Sequence, residues 1–303
     1  MNVIETTGLC KAYGAHFAVD HVELAVPEGS VYGFIGPNGA GKSTTMKLIL
    51  GLAHPSAGQV QVLGQTMTPQ NRLAILRQTG SLIESPSCYG HLTGQENLEV
   101  VADLKGVPRR DISRVLDIVR LTKDRGRKVG QYSLGMKQRL GIAQALLGSP
   151  RVLVLDEPTN GLDPAGIQEM RELTADMPRR CGATVLISSH LLSELEQIID
   201  QVGIINKGRL LFQGPLEQLQ RHSRGDTVLR VLDPACAKNT LARCRVGARW
   251  ENGAFVLPAM QEQALAQVVR ALAENGAGVV AVGSRTKTLE EIFLSLTERK
   301  EAE

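Results

Sequence analysis

The stretch GPNGAGKS, residues 36–43, decides the fold of this chain. It matches the pattern G-x-x-x-x-G-K-[ST] and lies between an apolar run, Val31–Ile35, and a stretch with helical periodicity, Thr44–Leu52. A strand, a glycine-rich loop and a helix in this order form a binding site for phosphate groups. We therefore predict a P-loop at the end of a buried strand.

The residue types of this loop explain how it would hold a nucleotide. Glycines allow the backbone to curl until successive N–H groups point at phosphate oxygens. Lys42 would reach the β- and γ-phosphates, and the Ser43 hydroxyl would hold Mg²⁺. The predicted nucleotide-binding residues of this segment are Gly36, Pro37, Asn38, Gly39, Ala40, Gly41, Lys42, Ser43 and Thr44.

Three further apolar runs, Val152–Leu155, Thr184–Ser188 and Val202–Ile205, alternate with helical patterns. Runs that are apolar on both faces predict buried parallel strands of an α/β sheet. The segment Gln59–Leu63 alternates polar and apolar residues, which predicts a half-exposed antiparallel strand. The predicted fold class is therefore α/β, a P-loop NTPase domain with an antiparallel strand beside its parallel sheet.

A polar, charged segment at 218–226 predicts a domain boundary, with the nucleotide-binding domain over residues 1–220 and a small α+β domain over residues 221–303. The second region has the predicted order β-α-β-β-α-β plus a last helix, and the first six elements fit a ferredoxin-like unit. Its predicted elements are strands at Thr227–Leu232 and Gly278–Val282, helices at Ala235–Cys244 and Gln261–Glu274, a hairpin turning at Glu251–Gly253, and a last helix with an apolar stripe of Leu289, Ile292, Phe293 and Leu296.

The composition, 43% hydrophobic and 21% charged over 303 residues, is that of an ordinary globular protein. A net charge of +3 and short, dispersed basic clusters argue against nucleic acid as a partner. The five cysteines include no C-x-x-C pair, and no secretory signal is recognisable, which predicts reduced thiols in a cytosolic protein. No apolar run is long enough to cross a membrane, so that work at a membrane would require partner chains.

Two acids, Asp156 and Glu157, directly follow the run Val152–Leu155. Ligands of open α/β sheets bind beyond the carboxyl ends of the strands, where these acids would lie. Asp156 would support the metal ion, and Glu157 would act as the general base that polarises the attacking water. His190 follows the run Thr184–Ser188 and is predicted at the same edge of the sheet. The alternative, acids in a solvated loop, is disfavoured by the phosphate loop.

The stretch YSLGMKQRL, residues 132–140, opens another helical pattern. Ser133 is a natural N-cap for that helix. Its hydroxyl and Gly135, at a helix N-terminus, would also form a second anion site. Because the two anion sites are too far apart in sequence to form one loop, we infer a nucleotide shared between two chains.

Glu84 lies in GSLIESPSC, residues 80–88, between a short apolar stretch and a proline. A carboxylate beside phosphate groups would repel them unless a cation lay between. On its own, the residue is either the first solvated position of a loop or part of a metal-bound phosphate site.

Taken in order, these segments resemble the nucleotide-binding domain of ABC transporters over residues 3–220. In that family GPNGAGKS is the phosphate loop, YSLGMKQRL the signature, and VLVLDEP the strand with the metal-supporting acid and the catalytic glutamate. GLDP, residues 161–164, is the inter-subunit loop, and SSH, residues 188–190, contains the switch histidine. The signature makes the resemblance specific, because phosphate loops occur in many unrelated ATPases.

The resemblance implies ATP with Mg²⁺, catalytic roles for Lys42, Glu157 and His190, and metal binding by Ser43, Glu84 and Asp156. It also implies an antiparallel β subdomain and a helical subdomain in the fold. Tyr13 in KAYG matches the aromatic residue that stacks on adenine, and Asp163 of the inter-subunit loop is counted with the nucleotide contacts.

In the family's mechanism, two copies of the domain pair head to tail, and each ATP lies between Lys42 of one chain and Ser133 and Gly135 of the other. Closing and reopening of the pair drives integral-membrane permease subunits. The resemblance thus implies a homodimer of this chain, bound in the cytoplasm to the inner face of a bacterial cell membrane.

The sequence departs from the family pattern in two places. The usual signature is L-S-G-G-Q, and here Tyr132, Leu134 and Met136 replace three of its residues, while Ser133 and Gly135 are retained. Glu84 replaces the glutamine that helps to hold Mg²⁺, and a carboxylate, as a hard anionic oxygen ligand, would hold the ion more strongly. Glutamate in this loop resembles a subgroup of exporters that confer immunity or resistance to lantibiotics and bacitracin-like peptides.

Three other functions compete with peptide export. An exporter of another drug or of a lipid-like cargo would have the same motifs. An ABC ATPase acting on nucleic acid or ribosomes usually has tandem nucleotide domains or long coiled-coil insertions, neither of which the sequence shows. A GTPase switch is rejected, because NKGR at 206–209 lacks the aspartate that reads guanine and DPAG at 163–166 stands in the wrong order.

Overall fold

The computed structural model describes residues 1–221 and 226–284. The chain divides into two compact units, Met1–Leu216 and Glu217–Glu303. The predicted last helix, with Leu289, Ile292, Phe293 and Leu296, lies outside the described residues. Within the two described ranges, no helix has the length and apolarity needed to cross a membrane.

The first unit alternates strands and helices along most of its length. In chain order its elements are β1 (Asn2–Tyr13), β2 (His16–Val22), β3 (Ala25–Pro27), β4 (Val31–Ile35), α1 (Lys42–Ile49), β5 (Ala57–Val62), β6 (Gln65–Thr66), α2 (Arg72–Arg77), β7 (Thr79–Leu82), α3 (Gly94–Lys105), α4 (Asp111–Ile118), α5 (Leu134–Leu146), β8 (Val152–Leu155), α6 (Pro164–Cys181), β9 (Thr184–Ser189), α7 (Leu192–Leu195), β10 (Gln201–Asn206) and β11 (Arg209–Pro215).

A six-stranded sheet in the order β11-β10-β4-β9-β8-β7 forms the centre of this unit. All neighbouring pairs are parallel except β10 and β11. Every residue of β4, β8 and β9 is buried, as expected for strands that are apolar on both faces. The four apolar runs therefore form the parallel strands that the sequence predicts.

A second sheet, with the order β2-β1-β5-β6 and β3 also paired to β1, is antiparallel. Its strand β5 covers most of the segment for which alternating polarity predicts a half-exposed strand. The apolar side chains of this sheet pack with those of β4 and α1 in one core, which includes Ile4, Val22, Phe34, Met46 and Val62.

Helices α3, α4 and α5 pack against one another and form the helical subdomain. Helix α3 begins with a capping box, in which Thr93 and Glu96 bond to each other's backbone N–H groups. In front of α5, the buried Tyr132 hydroxyl donates to the carbonyl oxygen of Asp124 at 2.7 Å. A Cβ on Gly94 would lie 2.3 Å from that hydroxyl oxygen, so that the tyrosine requires glycine at this position.

After α8 (Leu216–Arg221), the second unit contains β12 (Thr227–Val231), α9 (Pro234–Arg243), β13 (Arg249–Glu251), β14 (Ala254–Leu257), α10 (Glu262–Glu274) and β15 (Val279–Ser284). Its strands form an antiparallel sheet in the order β13-β14-β12-β15. Asn252 and Gly253, both with positive φ, form the two-residue hairpin turn. This strand order, with a helix after the first and third strands, is that of a split βαβ unit.

Burial of leucine side chains in the central sheet gives a direct test of the fold. Leu186, in the middle of β9, is fully buried, whereas Leu104 on α3 is 83% exposed. We expect Leu186→Ala to lower the free energy of unfolding by about 2–5 kcal/mol, because it removes buried methyl groups and leaves a cavity. Leu104→Ala, the matched control, should change it by less than about 0.5 kcal/mol. Denaturant unfolding followed by circular dichroism measures both, and equal effects would contradict the placement of β9 in the core.

Candidate functional site

The loop between β4 and α1 turns tightly at residues 36–41. A Cβ on Gly36 would lie 2.2 Å from the carbonyl oxygen of Ile205, and one on Gly41 would lie 2.3 Å from that of Ala18. Gly41 also has a φ of 106°, which side chains of L-residues rarely adopt. The two glycines are therefore required by close approach of other backbone segments, and Gly41 also by its own backbone conformation.

An open depression of about 230 Å³ lies over this loop and the first turn of α1. Seven of the predicted nucleotide-binding residues line it, together with Glu157 from the loop after β8. Its lining residues are Ala18, Asn38, Gly39, Ala40, Gly41, Lys42, Ser43, Thr44, Glu157 and Asn160. Ala18 and Asn160 were not predicted from the sequence, because a small residue on β2 and an amide in a loop have no distinctive pattern.

Lys42 is only 5% exposed and directs its charge into the loop. Its Nζ donates to the carbonyl oxygens of Gly36 at 2.7 Å and Pro37 at 3.2 Å. The same Nζ lies 3.2 Å from Oε1 of Glu157. The buried ammonium group is thus paired with a carboxylate and with two backbone carbonyl oxygens, as a buried charge must be.

Glu157 contacts both Lys42 and the residue that follows strand β9. Its Oε2 lies 2.6 Å from Nδ1 of His190, which follows β9. Glu157 has a φ of 49°, a conformation that is uncommon for residues other than glycine. The structure therefore brings together Lys42, Glu157 and His190, the three residues predicted to be catalytic, at the carboxyl ends of three neighbouring strands.

Asp156 is almost fully buried and is held by a residue that sequence reasoning missed. The hydroxyl of Ser188 donates to Oδ1 of Asp156 at 2.6 Å and accepts from the backbone N–H of Glu157 at 2.9 Å. Ser188 thereby fixes both acids of the loop after β8. A polar residue at the end of an otherwise apolar strand was the available signal.

The donors near the loop fit a hard divalent cation. Ser43 lines the depression, Asp156 follows the neighbouring strand β8, and both offer oxygen atoms of the kind that Mg²⁺ prefers. Glu84 is placed differently: its side chain is 67% exposed, and its Oε1 accepts a hydrogen bond from Nζ of Lys47 at 2.7 Å. That bond lowers the pKa of the Glu84 carboxyl and raises the pKa of Lys47. The carboxylate of Glu84 is therefore ionised and paired with an ammonium group.

Four predicted nucleotide contacts lie away from the depression. Ser133 caps α5 by accepting from the backbone N–H of Met136, and Asp163 caps α6 by accepting from that of Gly166. Gly135 lies in the first turn of α5. Tyr13 is 56% exposed at the end of β1, where Nζ of Lys11 lies 5.1 Å from its ring centroid. In a single chain, these residues do not join Lys42 and Glu157.

Comparison with known proteins identifies the family and the fold. A model of the ABC transporter family matches residues 19–160. The bacitracin transport ATP-binding protein BcrA of Bacillus licheniformis is 48% identical over 223 residues, which are 73% of this chain and 72% of that protein.

The chain belongs to the ABC transporter family.

Other relatives extend the match. The protein of the same name from Enterococcus faecalis is 38% identical over 97% of this ABC transporter protein and 96% of its own length. The lantibiotic transport ATP-binding protein SrtF of Streptococcus pyogenes is 43% identical over 70% of this chain and 90% of its own. A solved structure described as the ATP-binding subunit of an ABC transporter superposes with a TM-score of 0.64 and 31% identity, covering 73% of this chain and 92% of that one. This ABC transporter protein is thus an ATP-binding subunit that hydrolyses ATP.

The backbone carbonyl of Ala18 lies so close to Gly41 that a substitution at this glycine tests the role of the loop in ATP binding. We expect Gly41→Ala to weaken ATP binding more than about ten-fold, or about 1.4 kcal/mol, because the added methyl would lie 2.3 Å from the carbonyl oxygen of Ala18. Gly126→Ala is the matched control, since a Cβ there meets nothing within 4 Å. Titration with a fluorescent ATP analogue measures both affinities, and equal affinities would show that the loop does not need this glycine.

Proposed function

We propose that this chain is the ATPase subunit of an exporter that gives bacteria immunity or resistance to peptide antibiotics of the bacitracin or lantibiotic kind. The observation that carries the ATPase chemistry is the cluster of Lys42, Glu157 and His190 beside the phosphate loop. The cargo is inferred from relatives named for bacitracin and lantibiotic transport, one of which matches nearly the whole chain. In this proposal residues 1–220 are the ATP-binding domain, and residues 221–303 are an accessory domain.

In the proposed mechanism, Glu157 is the general base for the attacking water. In the structure, its two carboxylate oxygens face Lys42 and His190. An incoming γ-phosphate attracts the Lys42 ammonium, which leaves Oε1 of Glu157 available to accept a proton from water. His190, bonded to the other oxygen, holds the carboxylate in position during this exchange. Burial of Lys42 strengthens its attraction for phosphate, because screening by water is weak there.

Ser43, Asp156 and Glu84 are the proposed holders of Mg²⁺. When bound, the ion neutralises charge on the phosphate groups. Ser188 fixes Asp156 through Oδ1, so that the carboxylate keeps one orientation toward the loop. Glu84 must leave Lys47 to take part, and its high exposure allows this movement.

A second copy of the chain is proposed to complete the nucleotide site. The first backbone N–H groups of an α-helix lack partners within the helix and attract anions. Helix α5 presents such an end at Ser133 and Gly135, and Leu134 between them is 45% exposed. In a head-to-tail pair, these residues and Asp163 would face the nucleotide bound to the partner's phosphate loop. Tyr13, exposed at the end of β1, would stack on the adenine ring.

We further propose integral-membrane permease subunits as partners, with the ATPase pair in the cytoplasm on the inner face of the membrane. Closing of the pair on ATP and reopening after hydrolysis would move the permease subunits. The permease would contact the cargo, so that none of the residues described here selects the transported peptide.

Replacing the proposed base tests the mechanism. We expect Glu157→Gln to slow ATP hydrolysis by a factor of about 10²–10⁴ while ATP binding is retained, because an amide cannot accept the proton from water. The variant should also accumulate as a closed dimer in gel filtration with ATP. Glu172→Gln, an exposed change on α6, is the control and should hydrolyse ATP at the wild-type rate. A wild-type rate in Glu157→Gln would exclude Glu157 as the base.

Deletion of the gene tests the proposed cargo. A deletion strain should become sensitive to lantibiotics or bacitracin and keep its resistance to unrelated drugs. Complementation with the wild-type gene should restore resistance, and complementation with Glu157→Gln should not. Sensitivity to unrelated drugs would instead indicate another cargo, and unchanged susceptibility throughout would remove the peptide-antibiotic assignment while leaving the ATPase intact.

A further inference from the structure

Lys47 lies on the same face of α1 as Ser43, one helical turn further along. Its Nζ donates to Oε1 of Glu84 at 2.7 Å, across 37 positions of sequence. Lys47 and Glu84 are 38% and 67% exposed, so that solvent reaches both partners. An ammonium group is therefore held close to one of the proposed metal ligands and one turn away from another.

Asp156, the third of the proposed metal ligands, also contributes to the electrostatic environment of Lys47. The negative charge of Asp156 adds to that of Glu84 in raising the pKa of Lys47, and the Tyr13 hydroxyl makes a smaller contribution of the same sign. Burial acts in the opposite direction and does not cancel them. The Lys47 ammonium group thus contacts one carboxylate that the proposed function assigns to Mg²⁺, that of Glu84, and is also stabilised by the charge of the other, Asp156.

We propose that Lys47 is a built-in counter-cation of the metal-binding carboxylates, and that Glu84 exchanges the Lys47 ammonium for Mg²⁺ when nucleotide binds. The inference rests on the proposed function, in which Glu84 is a metal ligand. It assigns a role to a residue outside the phosphate loop, the signature and the catalytic cluster.

The physical chemistry of the pair permits this exchange. Two carboxylates facing a bound triphosphate repel it, and a cation between them removes the repulsion. An exposed ion pair contributes little to stability because solvent screens it, so that a divalent ion with phosphate ligands can displace the ammonium. Binding of Mg²⁺ then breaks the Lys47–Glu84 pair, and the loss of that pair offsets part of the metal's contribution. Lys47 therefore reduces the gain in nucleotide affinity that Mg²⁺ provides.

The quantity to measure is the ratio of two dissociation constants for a fluorescent, non-hydrolysable ATP analogue, one in excess EDTA and one in excess Mg²⁺. This ratio reports the contribution of the metal to binding and does not depend on hydrolysis. Lys47→Met should raise the ratio about two- to five-fold, the fold-change expected from loss of an exposed ion pair. Lys47→Arg, which keeps the charge, should give a ratio close to that of the wild type.

The double variant with Glu84→Gln tests whether the effect of Lys47→Met on the ratio depends on the Lys47–Glu84 ion pair. In that background, Lys47→Met should change the ratio by less than about 1.5-fold, because the carboxylate that releases the ammonium is gone. Lys123→Met removes the same charge from an exposed turn of the same unit and should leave the ratio unchanged.

Two results would overturn the inference, and they can be told apart. Glu84→Ala, which removes both side-chain oxygens, tests ligation itself, because glutamine could still hold the metal. If Glu84→Ala lowers the ratio but Lys47→Met has the same effect in the wild-type and Glu84→Gln backgrounds, Glu84 is a metal ligand and Lys47 is not its counter-cation. If Glu84→Ala leaves the ratio unchanged, Glu84 does not bind the metal, and the proposed metal site fails together with the inference. Thermal unfolding of each variant confirms that the protein is folded in these titrations.

Discussion

The burial of one positive charge, on Lys42, constrains the whole nucleotide site. An ammonium group that is only 5% exposed needs anionic or carbonyl oxygens around it. Two of these oxygens come from its own loop and one from Glu157, which in turn contacts His190. The loops after β4, β8 and β9 must therefore converge, and a parallel sheet is the structure in which they do so, since the carboxyl ends of its strands lie at one edge.

Because the carboxyl ends of the parallel strands lie together, the residues of the site are divided among the loops that follow three strands. The loop after β4 is the proposed phosphate site, the loop after β8 contributes both acids, and Ser188 and His190 at the end of β9 orient them. Ser188 shows how strongly the acids depend on their neighbour: its single hydroxyl donates to the buried Asp156 carboxylate and accepts the backbone N–H of Glu157. A buried carboxylate without such a donor would lack a hydrogen-bond partner, and burying an unpaired charge is costly.

The helical subdomain explains why the altered signature is compatible with the fold. Tyr132 replaces the usual leucine, yet its hydroxyl has a backbone acceptor at Asp124 and space beside Gly94. The polar atom of the larger side chain is therefore satisfied, and burial costs little. Ser133 and Gly135, whose hydroxyl and N–H groups suit an anion, remain at the exposed start of α5. Of the departures in the signature, Tyr132 thus falls on a buried packing position, while the atoms suited to phosphate are kept.

The sequence predicts the parallel strands, the phosphate loop and the two acids, because each depends on a local pattern: apolar runs, glycine spacing and position at a strand end. It also placed the hairpin at Asn252-Gly253, where two positive φ angles are needed. The tertiary structure alone decided which distant groups meet. Three contacts depend on how separate elements pack. Ser188 bonds to Asp156, and the carbonyl oxygens of Ala18 and Ile205 leave room only for glycine in the loop. Lys47 pairs with Glu84 across 37 positions of sequence. No local pattern predicts such contacts, because the groups that make them are distant in sequence and meet only in the folded chain.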